Sequence, residues 1–534
     1  AMLPEQEPAA PSQLADESGD ALLNASTTAS DAATRPQPHD RYHLAFFILY
    51  LQGVGCLFPW NAFITKTDYY NLAFRGSEYA SSFESIVTTT FTLLGLVTIL
   101  SMQRVQHLTS PRSRVICGLA LQLGVFLVIF GSSAAPLALP TEQLPSFLRR
   151  TSTPLFAVTV AGVALAGFAQ AVITGSLFTY ATLYARPTYL QAISAGMGVA
   201  GLSVSLGNLV TALPQTAQAC AAAGDEADTA QVDRATVVGA AVYFGLSCVL
   251  LGLCLVAFLV LERLPFTLEC KRREALLSAA EERRLAAARP RTEPETEMPL
   301  SLADVAGAAR AGGGAGGEEA AAAAAAGVAA KAAPPALLPR LWAWALSLTL
   351  IYAVTLGLFP SLTSTIQSTA ASCSWQHMFV PVGFVIYNAG DTLGRNLPGA
   401  VRSPRWLLGL TLLRTAFVPL FMMCNVVPSS GASPPSDSPP ASPPLASDAW
   451  PLLVMAVFSL SNGWLTTCAL MHAPEAVPPS ERGRAGSLMI CFLNGGLFVG
   501  SALSFAVKST MCGGCNPFVT PGSPAAEQSQ YYSN

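Results

Sequence analysis

The segment DRYHLAFFILYLQGVGCLFPWNAFIT, residues 40–65, decides the class of this protein, because it carries no charged side chain from Leu44 to Thr65. An α-helix rises about 1.5 Å per residue, so about 20 apolar residues cross the roughly 30 Å of hydrocarbon in a bilayer. Similar runs recur along the 534 residues, of which 51% are hydrophobic and 11% charged, and the mean hydropathy is +0.45. The sequence therefore predicts an all-α polytopic membrane protein.

The apolar runs predict eleven transmembrane helices, six before and five after a long polar segment. We place them near residues 42–64, 83–104, 114–135, 154–183, 189–213, 236–262, 340–365, 377–398, 404–428, 450–472 and 484–508. The chain then divides into a disordered cytosolic tail (1–41), a six-helix bundle (42–262), a largely disordered cytosolic linker (263–339), a five-helix bundle (340–508) and an extracellular tail (509–534).

The basic residues of the short loops predict the orientation, because cytosolic loops carry an excess of Lys and Arg. Most basic residues lie on the side of the N-terminus, and Arg149 and Arg150 are the exceptions. The cytosolic set consists of Arg104, Arg112, Arg114, Arg186, Lys271, Arg272, Arg273, Arg402, Arg405, Arg482 and Arg484. We therefore predict a multi-pass protein of the plasma membrane with a cytosolic N-terminus and an extracellular C-terminus.

Several functions are excluded by what the sequence lacks. A net charge of -3 without a basic stripe argues against nucleic acid as a partner. Five dispersed histidines predict no metal site, and neither a His-Glu-x-x-His motif nor a phosphate-binding P-loop occurs. We therefore expect no enzyme activity, no cofactor and no metal. A disulfide can form among four cysteines of the predicted outer loops, with the pairing left open: Cys220, Cys373, Cys512 and Cys515.

The segment VIYNAGDTLGRNLPGAV, residues 385–401, places charges inside the eighth apolar run. Asn388, Asp391 and Arg395 stand at i, i+3 and i+7, so they share one helix face and Asp391 can pair with Arg395. A charged side chain costs about 2.5–3.5 kcal/mol at the centre of a membrane helix, so such residues face a wet cavity or a bundle interior. Two interpretations stay open: a site for sugar hydroxyls or a polar heterocycle, or a buried ion pair that holds helices together.

Other polar features lie in predicted spans. Arg414 in the ninth span is expected to pair with a carbonyl cluster or with Asp391, and Glu84 lies near enough to the outer end of the second span to be solvated. In the first span, Trp60 and Asn61 follow a proline, so an indole that can stack and an amide stand at a helix break. An interfacial tryptophan belt explains the same residues.

Small residues are concentrated in TGSLFTYATLYARPTYLQAISAGMGVAG, residues 174–201, which joins the fourth and fifth spans. Gly196, Gly198 and Gly201 favour close helix packing over a ligand site. Three other side chains of the segment are candidates for lining a cavity: Thr174, Ser176 and Met197.

Taken together, these segments resemble one family, the equilibrative nucleoside transporters. The opening span and the segment FVPVGFVIYNAGDTLGR are similar to that family's first and eighth helices. LRTAFVPLFMMCN, FSLSNGW and GSLMICFLNGGLFVGSALSF are similar to its ninth, tenth and eleventh helices. The match covers nearly the whole membrane region. The resemblance implies eleven helices in a six-plus-five, major-facilitator-like arrangement.

The resemblance also implies roles for individual residues. Trp60 and Ile64 would flank the nucleobase, whereas Asp391 and Arg395 would hold the ribose with Asn388 beside them. Further side chains would line the cavity, namely Thr92, Thr174, Ser176 and Leu497, or belong to a gate or the cavity wall, namely Asn61, Met197, Phe359 and Phe384.

Three positions bear on the choice of substrate. Thr174 stands where the family often has a glutamine that contacts the base, and Gln170 stands where a glycine is usual, so the base preference stays open. The branch of the family that prefers organic cations carries a glutamate at the position of Met197. Because a thioether gives a cation no counter-charge, the resemblance favours nucleosides over monoamines.

We predict a facilitative carrier for nucleosides, with nucleobases left open as further substrates, that works as a monomer by alternating access. Two alternatives within the family stay open: proton-coupled nucleoside transport, with Glu84 as the proton-linked residue, and transport of organic cations. A sugar transporter of the wider superfamily is a third alternative. A membrane receptor or scaffold, which binds a ligand without flux, is the alternative from a different class.

Overall fold

The computed structural model describes residues 39–75, 77, 83–106, 108–220, 229–287, 337–426 and 447–511. These residues are almost entirely helical, and they include one isolated antiparallel bridge between Ile366 and Val426. The prediction of an all-α polytopic membrane protein is confirmed. Most of the predicted N-terminal tail, residues 288–336 of the linker and the C-terminal tail from residue 512 lie outside the described residues, as do Cys512 and Cys515.

Eleven helices of the described chain correspond to the predicted spans, and we number them α1 to α11. Their bounds are Leu44–Thr65, Phe83–Val105, Pro111–Ala134, Leu144–Ala181, Pro187–Cys220, Thr229–Arg263, Leu338–Leu358, Cys373–Asn396, Pro404–Met422, Ala449–His472 and Arg482–Met511. Two helices make up α9, and a 3-10 turn at Arg414–Ala416 joins them. Because backbone hydrogen bonds continue past the end of an apolar run, α4 begins ten residues earlier than predicted, at Leu144.

Among the described residues, ten helical stretches are both long enough and apolar enough to cross a membrane. The eighth helix, α8, is not among them, although its 24 residues give it sufficient length. The polar residues predicted to share one face, Asn388, Asp391 and Arg395, lie on this helix. These residues lower the mean hydropathy of α8. The count of eleven spans therefore includes α8, a helix that is long enough to cross a membrane but carries a polar face.

Glycine permits the closest helix crossing in the first half of the bundle. A Cβ atom on Gly53 of α1 would overlap with the carbonyl oxygen of Ile193, and a Cβ on Gly196 of α5 would overlap with that of Tyr50. The Cα atoms of the two helices therefore come closer here than any other residue type would allow. This crossing positions α5 for its contacts with the second half.

Helices α5 and α8 form a seam between the two halves, α1–α6 and α7–α11. Gly198 and Gly201 of α5 lie against α8, where a Cβ on Gly201 would come within 2.5 Å of the Asn388 side chain. Cys220 and Cys373 are joined by a disulfide where α5 ends and α8 begins. We call this end of the bundle the disulfide end, and the opposite end, where α6 and α8 finish, the linker end. The pairing that the sequence left open is thus Cys220 with Cys373.

The described residues also divide into two compact units. The larger unit contains the described residues from 39 to 272 and from 341 to 511, and therefore the helical bundle. The described residues of the other unit are 273–287 and 337–340. The charged start of the predicted linker is helical and belongs to the helix Pro265–Ala287.

A carboxylate organises the loop at the disulfide end. Asp448, just before α10, accepts hydrogen bonds from the Ser368 hydroxyl at 2.5 Å, from the Thr369 backbone N–H at 2.9 Å and hydroxyl at 3.1 Å, and from the Trp375 indole at 2.8 Å. Burial alone would raise the pKa of Asp448, but these bonds to the charged form outweigh it and lower the pKa from its usual value.

Replacing Gly196 by alanine is expected to destabilise the bundle by about 1–3 kcal/mol, because the added methyl group forces α1 and α5 apart. Gly207→Ala is the matched control, since it lies on the same helix and a Cβ there meets no atom within 4 Å. The melting temperature in detergent measures both variants. Equal melting temperatures for the two would contradict the close crossing.

Asp448→Asn is expected to lower the melting temperature at neutral pH. Because the folded state lowers the pKa of Asp448, its charged form stabilises the fold above the unfolded pKa of about 3.9, and that contribution is lost as pH falls through the folded pKa. The difference in melting temperature between wild type and variant should therefore narrow below about pH 4. Asp233→Asn, which removes a loose surface pair with Arg75 at 3.5 Å, is the control. A difference that stays constant with pH would refute the role of the charge.

Candidate functional site

The charged residues of α8 form a buried ion pair. Arg395 Nε donates to Asp391 Oδ2 at 2.7 Å, and the two residues are 4% and 8% exposed. The spacing of four residues brings the two side chains together on one helix turn, as the sequence predicts. Removing one partner of such a pair leaves an unpaired buried charge, which costs about 3–5 kcal/mol.

Three other helices complete the hydrogen bonding of this pair. Arg395 Nη1 donates to the Ser194 hydroxyl of α5 at 3.0 Å, and Nη2 donates to the Tyr352 hydroxyl of α7 at 3.1 Å. Asp391 Oδ1 accepts from Asn462 Nδ2 of α10 at 2.7 Å. A buried charge is tolerated only when its hydrogen bonds are made, so these contacts explain how polar groups persist at this depth.

A second buried arginine lies behind the pair. Arg414 is 2% exposed and donates to the Phe458 carbonyl at 2.8 Å, to the Ser461 hydroxyl and to the Thr355 hydroxyl at 2.9 Å. The sequence predicts either carbonyl groups or Asp391 as its partner. In the structure, Arg414 bonds directly to a carbonyl group. It is connected to Asp391 only indirectly, through two intervening side chains.

The predicted gate residues on the second half lie together. Phe359 stacks on Tyr387 at 3.8 Å between ring centroids and contacts Phe384 at 4.8 Å. Asn388 is one turn further along α8, and its amide donates to the Phe384 carbonyl at 2.9 Å. These rings continue the polar face of α8 towards the disulfide end.

The predicted residues of the first half form separate contacts. The Trp60 indole stacks on Phe91 of α2 at 4.2 Å between ring centroids, and Thr92 follows as a half-buried neighbour. Asn61 and Thr174 are buried, and the Thr174 hydroxyl lies beside the thiol of a cysteine in α1. Met197 is buried in α5. The side chains of two predicted residues, Ile64 and Glu84, lie outside the described part of the chain.

Ser176 and Leu497 have neighbours that the sequence does not predict. The Ser176 hydroxyl is fully buried and accepts a hydrogen bond from Arg114 Nε at 3.0 Å, near the linker end. Half-buried Leu497 lies on α11 next to Gly496, which packs against Tyr352. Leu497 therefore lies on the helix that packs against α7 near the partner of Arg395.

Polar contacts hold the two halves together at the linker end. They comprise Ser194 with Thr467 at 2.8 Å, Gln191 with the Leu397 carbonyl at 2.8 Å, Thr179 with the Gly483 carbonyl at 3.1 Å, and Gln103 with Ser487 at 3.0 Å. Each pair joins a helix of α1–α6 to the second half. Together they close the bundle at the linker end beside the ion pair.

Sequence analysis missed three groups that bind the pair: Ser194, Tyr352 and Asn462. Only Asn462 had a local signal, because it lies in FSLSNGW, a segment used to recognise the family. An asparagine inside an apolar span is costly unless it is bonded, so it could have been named as a partner. Ser194 and Tyr352 had no comparable signal, since serine and tyrosine are common in membrane helices.

A family model described as "Nucleoside transporter" matches residues 160–509. The chain belongs to the nucleoside transporter family. Human equilibrative nucleoside transporter 2 is 30% identical over 504 residues, which cover 89% of this chain and 99% of that protein. Human equilibrative nucleoside transporter 1 is 27% identical over 510 residues, with the same coverage.

Human equilibrative nucleoside transporter 4 is 26% identical over 499 residues, which cover 89% of this chain and 84% of that protein. Among solved structures, the proton:xylose symporter XylE aligns with a TM-score of 0.45 and 11% identity. The alignment covers 88% of this chain and 90% of the XylE chain. The transporter FucP in its outward conformation aligns with a TM-score of 0.45 and 9% identity. The alignment covers 89% of this chain and 92% of the FucP chain. Family membership confirms a multi-pass membrane transporter and not an enzyme.

Proposed function

We propose that this protein carries nucleosides across a membrane by facilitated diffusion. The observation that supports the proposal best is the buried Asp391–Arg395 pair, held where α5 of one half meets α8 of the other. The curated relatives named equilibrative nucleoside transporters 1 and 2, which match nearly their whole length, support the same substrate class.

The chemistry of the pair suits ribose hydroxyls. A carboxylate oxygen has two lone pairs, and each oxygen of Asp391 uses one of them, for Arg395 and for Asn462 respectively. A guanidinium has five N–H donors, and Arg395 directs bonds to Asp391, Ser194 and Tyr352. The pair therefore keeps acceptor capacity for a hydroxyl group. The ribose of a nucleoside would bind here, with the base near Trp60.

Alternating access fits the contacts between the halves. In this state the linker end is closed by side-chain bonds between them, such as Ser194 with Thr467. Transport requires these contacts to break while others form at the disulfide end. We propose that the two bundles, residues 42–262 and 340–508, move against each other and that the protein acts as a monomer. Residues 263–339 would then be the linker between the bundles, and residues 1–41 and 509–534 the two tails.

We propose the plasma membrane as the location, with the N-terminus in the cytosol and the C-terminus outside. The disulfide between Cys220 and Cys373 supports this orientation, because disulfides persist in oxidising compartments and the disulfide end would then be extracellular. The linker end, which is next to the basic loops, would face the cytosol.

The charges around the pair argue against the organic-cation alternative. Among the described residues, this cluster contains one carboxylate, Asp391, and two guanidinium groups, Arg395 and Arg414. A cationic substrate would meet an excess of positive charge and the neutral Met197. Uptake of the four major nucleosides, adenine and a monoamine, measured at acidic and neutral external pH, separates nucleoside transport from the cation and proton-coupled alternatives.

Asp391→Ala is expected to lower nucleoside uptake by more than about tenfold at subsaturating substrate, because a ribose hydroxyl and Arg395 both lose a partner. Uptake of adenine, which has no ribose, should fall less. Surface expression is measured in parallel, and Asp233→Ala, which removes an exposed ion pair, is the control. Unchanged nucleoside uptake in Asp391→Ala would rule out the ribose contact.

A further inference from the structure

Arg414 is a buried cation without a counter-ion of its own. It is 2% exposed, lies in the turn that divides α9, and forms no ion pair among those of the described residues. Its Nε atom is buried and has no hydrogen-bond partner within the described part of the chain. Burying a guanidinium in this way is expensive, so a role in packing alone does not account for it.

The contacts of Arg414 hold its guanidinium in one orientation. Nη1 donates to the Phe458 carbonyl at 2.8 Å, and the carbon between the guanidinium nitrogens lies 4.7 Å from the centre of the Phe458 ring. With the group fixed from that side, Nη2 donates to the Thr355 hydroxyl at 2.9 Å. Thr355 is therefore the acceptor through which Arg414 reaches α7.

The next bond has a defined direction. The Thr355 hydroxyl lies 2.8 Å from Asn462 Oδ1 and 2.7 Å from the Ile351 carbonyl, which also accepts the helical N–H one turn later. The Asn462 amide must turn its NH₂ group towards Asp391, because its oxygen would otherwise face a carboxylate. Its oxygen then faces Thr355 and needs the hydroxyl proton.

These hydrogen bonds form a series in which every donor points towards Asp391. Arg414 donates to Thr355, Thr355 donates to Asn462, and Asn462 donates to Asp391 Oδ1. Aligned hydrogen bonds in a low-dielectric interior polarise one another, so the positive charge is felt at the carboxylate. Asp391 is thus held by a cation at each oxygen, directly by Arg395 and indirectly by Arg414.

We propose that Arg414 is a positioning residue for substrate binding. Acting through Thr355 and Asn462, it fixes the rotation of the Asp391 carboxylate, so that the remaining lone pairs point at the ribose hydroxyls. This inference rests on the ribose contact proposed above and adds to it a residue that does not touch the substrate.

Thr355→Val tests the relay with the least change in shape, because it removes the hydroxyl and keeps Arg414 in place. Transport efficiency, Vmax/KM, is measured in proteoliposomes for uridine and for 2′,3′-dideoxyuridine, which lacks the 2′- and 3′-hydroxyls of the ribose. The efficiency for uridine should fall about tenfold, the effect of one lost buried hydrogen bond, while that for the dideoxy compound stays unchanged. The matched control is Thr411→Val, since the buried Thr411 hydroxyl donates to the Leu407 carbonyl of its own helix.

Arg414→Gln and Arg414→Lys complete the series. Glutamine removes the charge and should reduce the preference for uridine over the dideoxy compound at least as much as Thr355→Val does. Lysine keeps the charge and can donate to Thr355, so it should restore part of the preference. A purely structural role would lower transport of both substrates equally in every variant, and that result would overturn the proposal.

Asp391→Asn separates this proposal from the one on which it rests. If that variant loses the preference for uridine while Thr355→Val and Arg414→Gln keep it, the ribose contact stands and the positioning role is wrong. If Asp391→Asn lowers transport of both substrates equally, the ribose contact is wrong and the positioning role falls with it.

Discussion

The bond between Asp391 and Arg395 is the contact on which the arrangement of the central helices depends. Neither charge is stable at this depth by itself, and each needs partners beyond the other. Those partners come from α5, α7 and α10, and they must arrive within hydrogen-bond distance at the same time. Helix packing in lipid gains little from burying apolar surface, so polar contacts of this kind act together with the close packing of small residues to decide which helices are neighbours.

The same contact shows why the two interpretations of the α8 charges do not compete. The pair holds four helices together, as the structural interpretation expects, and it lies between the halves that must move, as the transport interpretation requires. A pair bonded to both halves changes its surroundings whenever the halves move. Groups that stabilise one state are therefore placed to respond to a substrate that binds between them.

Local chemistry accounts for what the sequence could predict. The spans follow from the length of the apolar runs, and the ion pair follows from a spacing of four residues on one helix. The partners Ser194 and Tyr352 could not be predicted, because they are distant in sequence and their residue types carry no signal. Ser176 is similar: its type and position allow it to line a cavity, but a bond to Arg114 depends on how α3 packs against α4. Family resemblance supplies roles for residues, whereas the bonds between helices come only from their packing.

The seam between α5 and α8 has a consequence for movement. A covalent bond joins the two helices at the disulfide end, and at the linker end Gln191 of α5 donates to the carbonyls of Arg395 in α8 and of Leu397 just after it. The covalent bond stays intact throughout the cycle, whereas the Gln191 hydrogen bonds can break and form again as the linker end opens and closes. The disulfide therefore limits how far α5 and α8 can separate at the disulfide end, so that end opens more widely on the sides of the bundle away from this bond.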